Sequence, residues 1–309
     1  MSLVVVSSKR FVDHVTPAGH PERPERAEVL QAAAAAFAAK GGEVIEPRAA
    51  ADEDLLRVHT REHVDAIVAT RGRASMIDED TFTSPDSEEI ARLAAGAVMT
   101  GVDRVLDGPA GSRALVLVRP PGHHAEADRA MGFCLYSNIA VGAAYARSRG
   151  CARVAIVDYD VHHGNGTQWI FYEDPTVLFV SSHQFPFYPG TGAASEKGRG
   201  EGHGFTLNIP LDAGTQDAEV ERKYEELVYP AVRAFKPDLL MISAGFDAHE
   251  LDPLGQLRMT TAGFGRLTRA LNALATEVCE GRVVYVTEGG YDLGALGDCL
   301  AEVIKSSMP

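Results

Sequence analysis

The chain has 309 residues, of which 45% are hydrophobic and 23% are charged, and it can bury a substantial core as one large domain or two ordinary ones. Its formal net charge of −14, without any run of basic residues, argues against a nucleic-acid-binding protein, which needs clustered cations to contact phosphates. No apolar stretch approaches the length of a membrane-spanning helix, so no membrane partner is expected.

Short apolar, β-branched runs alternate with helical stretches along the chain. We predict helices at 24–40, about 60–70, 86–106, 136–149, 217–235 and 261–280. The apolar runs between the later helices lie at 114–124, 152–166, 176–184, 237–249 and 282–292. Residues 185–204 are predicted to form a structured loop. Continuous apolar strands indicate a parallel sheet buried on both faces. The alternation predicts an open α/β sheet covered by helices, in one domain spanning 1–309.

The cysteines and the amino-terminal segment indicate the compartment. Cys134, Cys151, Cys279 and Cys299 form no C-x-x-C pair, which excludes a zinc-knuckle pattern and a disulfide framework. The apolar run in MSLVVVSSKRF is too short for a signal peptide and carries its cations on the wrong side. We therefore expect a cytoplasmic protein. The sequence is compatible with a homo-oligomer.

Each of the five apolar runs ends in polar residues. In chain order these are His123 and His124, then Asp158, Asp160 and His162, then Ser181 and Ser182, then Asp247, and finally Glu288 and Tyr291. The ligand site of an open parallel sheet lies beyond the carboxyl ends of its strands. Five polar strand ends at one edge therefore predict an active site.

The stretch Asp158-x-Asp160-x-His162 indicates a metal site. Residues at i, i+2 and i+4 of an extended chain point to one face, so these side chains line up together. With Asp247 from another strand end, Asp160 and His162 make a mixed nitrogen and oxygen set that suits catalytic zinc, although ferrous iron could also occupy it. The alternative is a solvated turn without a metal, and the second strand end, SAGFDAH, disfavours it.

Two further groups fit amide hydrolysis beside such a metal. Hydrolysis needs a base for the water proton and an acid for the leaving amine, and imidazoles such as His123 and His124 titrate in the right range. Tyr291, after two glycines, could donate a hydrogen bond to the developing oxyanion. Adjacent histidines are more often a surface feature or a metal pair, and a single tyrosine is more often structural. Only the predicted metal site beside them favours a catalytic role for His123, His124 and Tyr291.

The segments PPGHHAE, GFCLYSN, DYDVHHGNGTQ, HQFPFYPGTG, SAGFDAH and EGGYDL resemble, in order and spacing, those of the histone deacetylase and acetylpolyamine amidohydrolase family. The resemblance covers about 19–293, and N-G-T and E-G-G-Y-D look like the class II and bacterial branch. It implies an arginase/deacetylase-like fold with an eight-stranded parallel sheet and helices on both faces. It also implies zinc-dependent hydrolysis of acyl-lysine or a similar acylated amine.

Carried over position by position, the family's zinc ligands match Asp160, His162 and Asp247. Its catalytic histidines match His123 and His124, the second as general base and acid, and its transition-state tyrosine matches Tyr291. Asp158 matches the carboxylate that orients His123. The residue that orients His124 is an aspartate in class I relatives but Asn165 here, so His124 should be less basic.

The resemblance also implies a substrate tunnel and a structural potassium site. The tunnel set is Phe133 and Tyr188 as aromatic walls, Gly132, Gly289 and Gly290 beside them, Asp80 at the rim, Leu254 at the position of an acidic polyamine gatekeeper, and Arg26 at the foot of an internal channel. The potassium set is Asp158, Asp160, His162, Ser181 and Ser182, the first three largely through backbone oxygens. Ordinary core packing is the alternative for the two aromatics.

Two other functions compete with acyl-lysine hydrolysis. An acetylpolyamine amidohydrolase would use the same machinery, but the neutral Leu254 favours lysine-like or uncharged substrates. A catalytically silent acyl-amine sensor would be expected to have lost a ligand, a histidine or Tyr291, because fold alone does not certify activity. Arginase-type chemistry with two manganese ions would require more aspartates. The full set of residues favours the hydrolase.

Overall fold

The computed structural model describes residues 2–308, which contain ten strands and ten α-helices connected by loops and short turns. The strands are Ser2–Ser7 (β1), Glu43–Ile45 (β2), Ser75–Met76 (β3), Phe82–Thr83 (β4), Ser112–Leu117 (β5), Val154–Asp158 (β6), Val177–Gln184 (β7), Thr206–Leu211 (β8), Leu239–Ala244 (β9) and Val283–Thr287 (β10). The helices are Pro24–Ala39 (α1), Asp52–Leu55 (α2), Arg61–Val68 (α3), Ser87–Leu106 (α4), Asn138–Ser148 (α5), Asn165–Ile170 (α6), Asp217–Lys223 (α7), Tyr229–Phe235 (α8), Thr261–Val278 (α9) and Leu293–Ser307 (α10). None of these helices is long and apolar enough to cross a membrane.

Eight of the strands form one parallel sheet in the order β2-β1-β5-β10-β9-β6-β7-β8. The five predicted apolar runs supply β5, β10, β9, β6 and β7, which are consecutive neighbours at the centre of the sheet. All side chains of these five strands are buried, which explains why their sequences show no polar alternation. The predicted eight-stranded parallel sheet is confirmed.

Helices cover both faces of the sheet, as predicted. Side chains of a strand alternate between faces, so Val5 packs into one apolar cluster while Val4 and Val6 pack into the other. The first cluster includes side chains of α1, α8, α9 and α10, and the second includes those of α4 and α5. The fold is therefore an open parallel sheet between two helical layers.

Several elements lie outside the predicted set. β1 uses the amino-terminal apolar run, and β2 is only three residues long. β8 contains Pro210, which a strand tolerates at the edge of a sheet. The last helix, α10, begins after Asp292, whose side chain accepts from Ala295 N at 2.8 Å. Aspartate is a preferred N-cap residue, so the start of this helix could have been predicted from the sequence. The helix predicted at 217–235 is helical throughout these bounds, with α7 and α8 joined by a π-helical segment, Tyr224–Val228.

Parallel pairing brings the carboxyl ends of the five central strands to one edge of the sheet. Asp158, the last residue of β6, lies opposite Ser181 on β7 and Ser243 on β9. The loops that leave these strands carry the polar residues singled out in the sequence. The candidate site lies among these loops.

Candidate functional site

Asp160, His162 and Asp247 form a buried cluster at this edge. One ligand atom from each residue lies within 4.8 Å of the others. His162 Nδ1 is 3.2 Å from Asp160 Oδ1 and 3.1 Å from Asp247 Oδ2. One imidazole nitrogen and two carboxylates suit a divalent zinc or iron ion.

Backbone groups hold the two carboxylates of this cluster. Asp160 Oδ2 accepts from Gly289 N at 2.9 Å, and Asp247 Oδ1 accepts from Val161 N at 2.9 Å. A Cβ added at Gly289 would lie 2.0 Å from Asp247 Oδ2, and one added at Gly245 would lie 2.0 Å from Asp160 Oδ2. The close approach of chain and carboxylates requires glycine at both positions.

The charges of the cluster also suit a cation. Burial, together with the neighbouring charge of Asp160, raises the pKa of Asp247 to about 7. Burial alone would lower the pKa of His162, but hydrogen bonds to Asp160 and Asp247 raise it to about 10. Two carboxylates confined in a dry site favour positive charge between them, either the His162 proton or a metal ion in its place.

The two adjacent histidines lie beside the cluster, with ring centroids 4.0 Å apart. His123 Nδ1 is 3.0 Å from Asp158 Oδ2, and His124 Nδ1 is 2.7 Å from Asn165 Oδ1. Both rings are buried. The amide oxygen of Asn165 accepts, so the proton of a neutral His124 lies on Nδ1 and leaves Nε2 free to act as a base.

The surroundings drive the pKa values of these two imidazoles apart. Burial opposes charge on His123, but Asp160 and Asp158 raise its pKa well above the ordinary value. Burial and the neighbouring His123 and His162 lower the pKa of His124 well below that value. Such divergence is typical of neighbouring titratable groups with different roles in one site. These shifts favour the charged form of His123 and the neutral form of His124.

Tyr291 is buried near Asp247 and Asp160 of the cluster. Its backbone N–H donates to Asp252 Oδ2 at 2.6 Å, and Arg26 Cζ lies 4.9 Å from its ring centroid. Burial raises the pKa of the Tyr291 phenol well above the usual value, so the group stays protonated. Arg26, also fully buried, donates from Nε to the carbonyl of Gly290 at 2.7 Å. A protonated phenol in a rigid loop can serve as a hydrogen-bond donor.

The predicted tunnel aromatics lie around these groups. The Phe133 ring meets that of Tyr291 edge-on, with centroids 5.8 Å apart, and Tyr188 meets His124 edge-on at 5.2 Å. Tyr188 is 38% exposed, which rules out ordinary core packing for this residue. Gly132 has φ +56°, and a Cβ there would lie 2.6 Å from His124 Cδ2. Gly132 and Tyr188 therefore lie against His124 and Phe133 against Tyr291, and the substrate tunnel stays a prediction.

The predicted rim residues contact the site indirectly. Asp80 accepts from Thr81 Oγ1 at 3.1 Å, and its carbonyl lies 3.0 Å from His20 Nε2; the His20 ring packs on Phe133 at 4.8 Å. Leu254 is partly exposed, and its N–H donates to Asp252 Oδ1 at 2.9 Å.

Asp252 is buried and also accepts from the backbone N–H of Asp292. Together with the bonds from Tyr291 and Leu254, its carboxylate therefore has three backbone donors within the protein.

The predicted potassium set shares Asp160 and His162 with the metal cluster and adds Asp158, Ser181 and Ser182. Asp158 and Ser181 face each other across β6 and β7. The Ser181 hydroxyl lies 2.9 Å from His183 Nδ1, and the Ser182 hydroxyl lies 2.9 Å from the Tyr224 hydroxyl. Oxygen atoms suitable for a hard cation are present here, and potassium stays a prediction.

Two residues of the site had no assigned role in the sequence. Glu288 Oε2 accepts from the N–H groups of Gly122 and His123 at 2.7 and 3.1 Å, so it anchors the turn that carries the histidines. Phe187 stacks on His162 with centroids 5.4 Å apart and planes at 15°. The motif E-G-G-Y and the aromatic-rich loop contained these residues, but their contacts depend on the folded loops.

An eight-stranded parallel sheet with carboxylates and imidazoles gathered at its carboxyl edge defines an α/β domain of the arginase/deacetylase fold with a candidate catalytic site. The profile of the histone deacetylase domain matches residues 20–307 of the chain. The chain belongs to the histone deacetylase family, a family of deacetylases and amidohydrolases.

Relatives and a solved structure agree with this membership. The chain is 40% identical over 308 residues to histone deacetylase 10, chloroplastic, of Oryza sativa subsp. japonica, covering 93% of this chain and 69% of the rice protein. It is 40% identical to a probable deacetylase of Archaeoglobus fulgidus, covering 94% and 82%, respectively. The crystal structure of the HDA15 HD domain matches with a TM-score of 0.92 and 40% identity, covering 99% of this chain and 89% of that one.

Proposed function

We propose that the protein is a zinc-dependent deacylase that hydrolyses the amide of N-acyl-lysine side chains or similar linear acylated amines. The observation that carries the proposal is the pairing of the Asp160–His162–Asp247 cluster with two buried imidazoles, one bound to Asp158 and the other to Asn165. We further propose that residues 1–309 act as one catalytic domain.

Each residue of the site has a separate task in this proposal. His124 accepts a proton from the attacking water at Nε2 and passes it to the leaving amine. Tyr291 donates a hydrogen bond to the oxygen that becomes negative as the carbonyl is attacked. His123, held by Asp158, stays cationic and stabilises the same developing charge.

Asp160, His162 and Asp247 would hold the metal. Zinc there supplies Lewis acidity that polarises the acyl carbonyl and makes water more acidic. Ferrous iron would fit the same donors. Asp158, Asp160 and His162, largely through backbone oxygens, would hold a structural potassium ion together with Ser181 and Ser182.

The walls of the site favour a slender, uncharged acyl-amine stem. Phe133 and Tyr188 offer aromatic faces, and Gly132, Gly289 and Gly290 leave room beside them. The buried Asp252 is hydrogen-bonded to three backbone N–H groups, so it is poorly placed to attract a polyamine cation. Asp80 would hold the substrate backbone at the rim, beside the neutral Leu254.

The proposal also covers the compartment, the binding partner and the oligomeric state of the enzyme. The four cysteines are buried and unpaired in residues 2–308, which suits a reducing compartment such as the cytoplasm. The net charge of −14 suits an acylated amine better than a nucleic acid as the partner. A homo-oligomer stays a prediction.

A turnover panel tests this proposal against its two rivals. We expect kcat/KM on an acetyl-lysine peptide to exceed that on an acetylpolyamine by about tenfold or more, equivalent to ~1.4 kcal/mol in transition-state free energy. Longer acyl-lysine peptides and the metal content are measured on the same sample. A preference for acetylpolyamines would favour the polyamine amidohydrolase. Binding without turnover of any substrate by zinc-loaded protein would favour the sensor.

A further inference from the structure

The amide of Asn165 has two well-defined partners at its opposite ends. Its Oδ1 is 2.7 Å from His124 Nδ1, and its Nδ2 donates to Glu126 Oε1 at 2.7 Å. Weaker contacts of Nδ2 reach the carbonyl of His124 and Met131 Sδ, both at 3.4 Å. The Glu126 carboxylate thus lies one amide away from the proposed base.

The orientation of this amide decides which nitrogen of His124 carries the proton. A side-chain amide accepts at its oxygen and donates at its nitrogen, and rotation by 180° exchanges the two ends. With the oxygen facing His124, the neutral ring is protonated at Nδ1. With the nitrogen facing it, the proton would move to Nε2 and the base would be blocked.

We propose that Glu126 is a positioning residue that fixes the Asn165 amide and thereby sets the tautomer of His124. A carboxylate only accepts hydrogen bonds, so Glu126 binds the nitrogen end of the amide and rejects the oxygen end. The proposal rests on the proposed function of His124 as general base. It gives the hydrolase a carboxylate that acts on His124 through the amide.

The loop that carries Glu126 is itself held in place. Burial and the nearby His63 lower the pKa of His59 to about 3, so this ring is neutral. It lies between the Glu126 carbonyl, 3.0 Å from Nδ1, and Ser137 N, 2.9 Å from Nε2. Ser137 N can only donate, so Nδ1 carries the proton and donates to the carbonyl.

The side chain of Glu126 is 12% exposed, and it also accepts from Arg129 Nη2 at 2.7 Å. Arg129 is largely exposed, so this ion pair should contribute little. The carboxylate is therefore held chiefly through its backbone.

Single substitutions give the first test. Glu126→Ala is expected to lower kcat ~10–100-fold, the usual effect of removing a group that orients a catalytic residue, with little change in KM or zinc content. Glu126→Gln should lose less, because its amide oxygen can still accept from Asn165. Asp128→Ala is the matched control, since Asp128 is an exposed acid of the same loop, and its kcat should stay at the wild-type value.

The combination with Asn165→Asp separates positioning from a merely structural role. With aspartate at 165, two carboxylates would face each other at the position of the present hydrogen bond, and like charges in a buried site repel. Glu126→Ala should then raise kcat in the Asn165→Asp background, although it lowers kcat in the wild type. An equal loss in both backgrounds would overturn the proposal.

A spectroscopic measurement reads the tautomer without requiring turnover. The ¹⁵N spectrum of His124, assigned by comparison with His124→Ala, should show a protonated Nδ1 in the wild type and a mixture of tautomers in Glu126→Ala. An unchanged tautomer would overturn the positioning role, whatever the substrate proves to be. If the wild type hydrolyses no acylated amine, the proposed function fails, while the spectrum still tests the inference.

Discussion

Asp247→Ala is expected to lose bound zinc and deacylase activity together. Three protein ligands leave no redundancy, and Asp247 supplies one of only two carboxylates in the cluster. Lewis-acid stabilisation is worth several kcal/mol, so loss of the metal should lower kcat/KM by ~10³-fold or more. Zinc content and kcat/KM are measured on the same preparation.

The fold should survive this substitution. Removal of Asp247 loses its hydrogen bonds with Val161 N and His162 but relieves its repulsion with Asp160 in the metal-free protein. A cooperative thermal unfolding transition would show that the variant is folded, and Asp128→Ala provides a control that leaves zinc in place. A metal-replete Asp247→Ala protein with wild-type activity would contradict the proposed ligand set.

His124→Ala is expected to lower kcat by ~10²–10⁴-fold, the range for loss of a general acid–base group. Tyr291→Phe removes one oxyanion donor and should lower kcat by ~10²–10³-fold. Both variants should retain zinc, because neither side chain belongs to the ligand set. The two roles therefore differ in pH dependence more than in the size of the loss.

The dependence of kcat/KM on pH should distinguish His124→Ala from Tyr291→Phe. His124 acts as a base only when it is neutral, and its lowered pKa keeps it neutral well below pH 6.5. The acidic limb of kcat/KM should therefore lie below that of an ordinary imidazole, and it should flatten in His124→Ala. Tyr291→Phe should keep the shape of the wild-type profile. A wild-type profile for His124→Ala, or full activity for Tyr291→Phe, would contradict the assigned roles.

The centre of the fold was predictable because its strands are buried on both faces. β5, β6, β7, β9 and β10 read as continuous apolar runs, and each ends in polar residues. The edge strands were not recognised. β2 is too short to show a pattern, and β8 mixes the buried polar residues Thr206 and Asn208 with apolar ones. Short and mixed patterns give a weak local signal.

The candidate site also contains some residues whose proximity could be predicted from the sequence and others whose contacts could not. Asp160 and His162 were predicted to share one face of an extended chain, but β6 ends at Asp158 and both residues lie in the bend that follows it. They meet because they are close in sequence within this bend. Glu126 and Asn165 are 39 residues apart, and only the folded loop after β5 brings their side chains together. Glu288 likewise reaches His123 N from the other end of the chain. Contacts between loops depend on tertiary structure, which periodicity does not encode.

Zinc titration of metal-free protein tests the proposed mechanism in one measurement. The apo protein is titrated with zinc while kcat/KM on an acetyl-lysine peptide is followed, with Asp247→Ala as the control. We expect activity to rise from the background level to its maximum at one zinc per chain, and the control to stay at background. Full activity in protein verified to be metal-free, or no activity at one bound zinc per chain, would contradict a zinc-dependent deacylase.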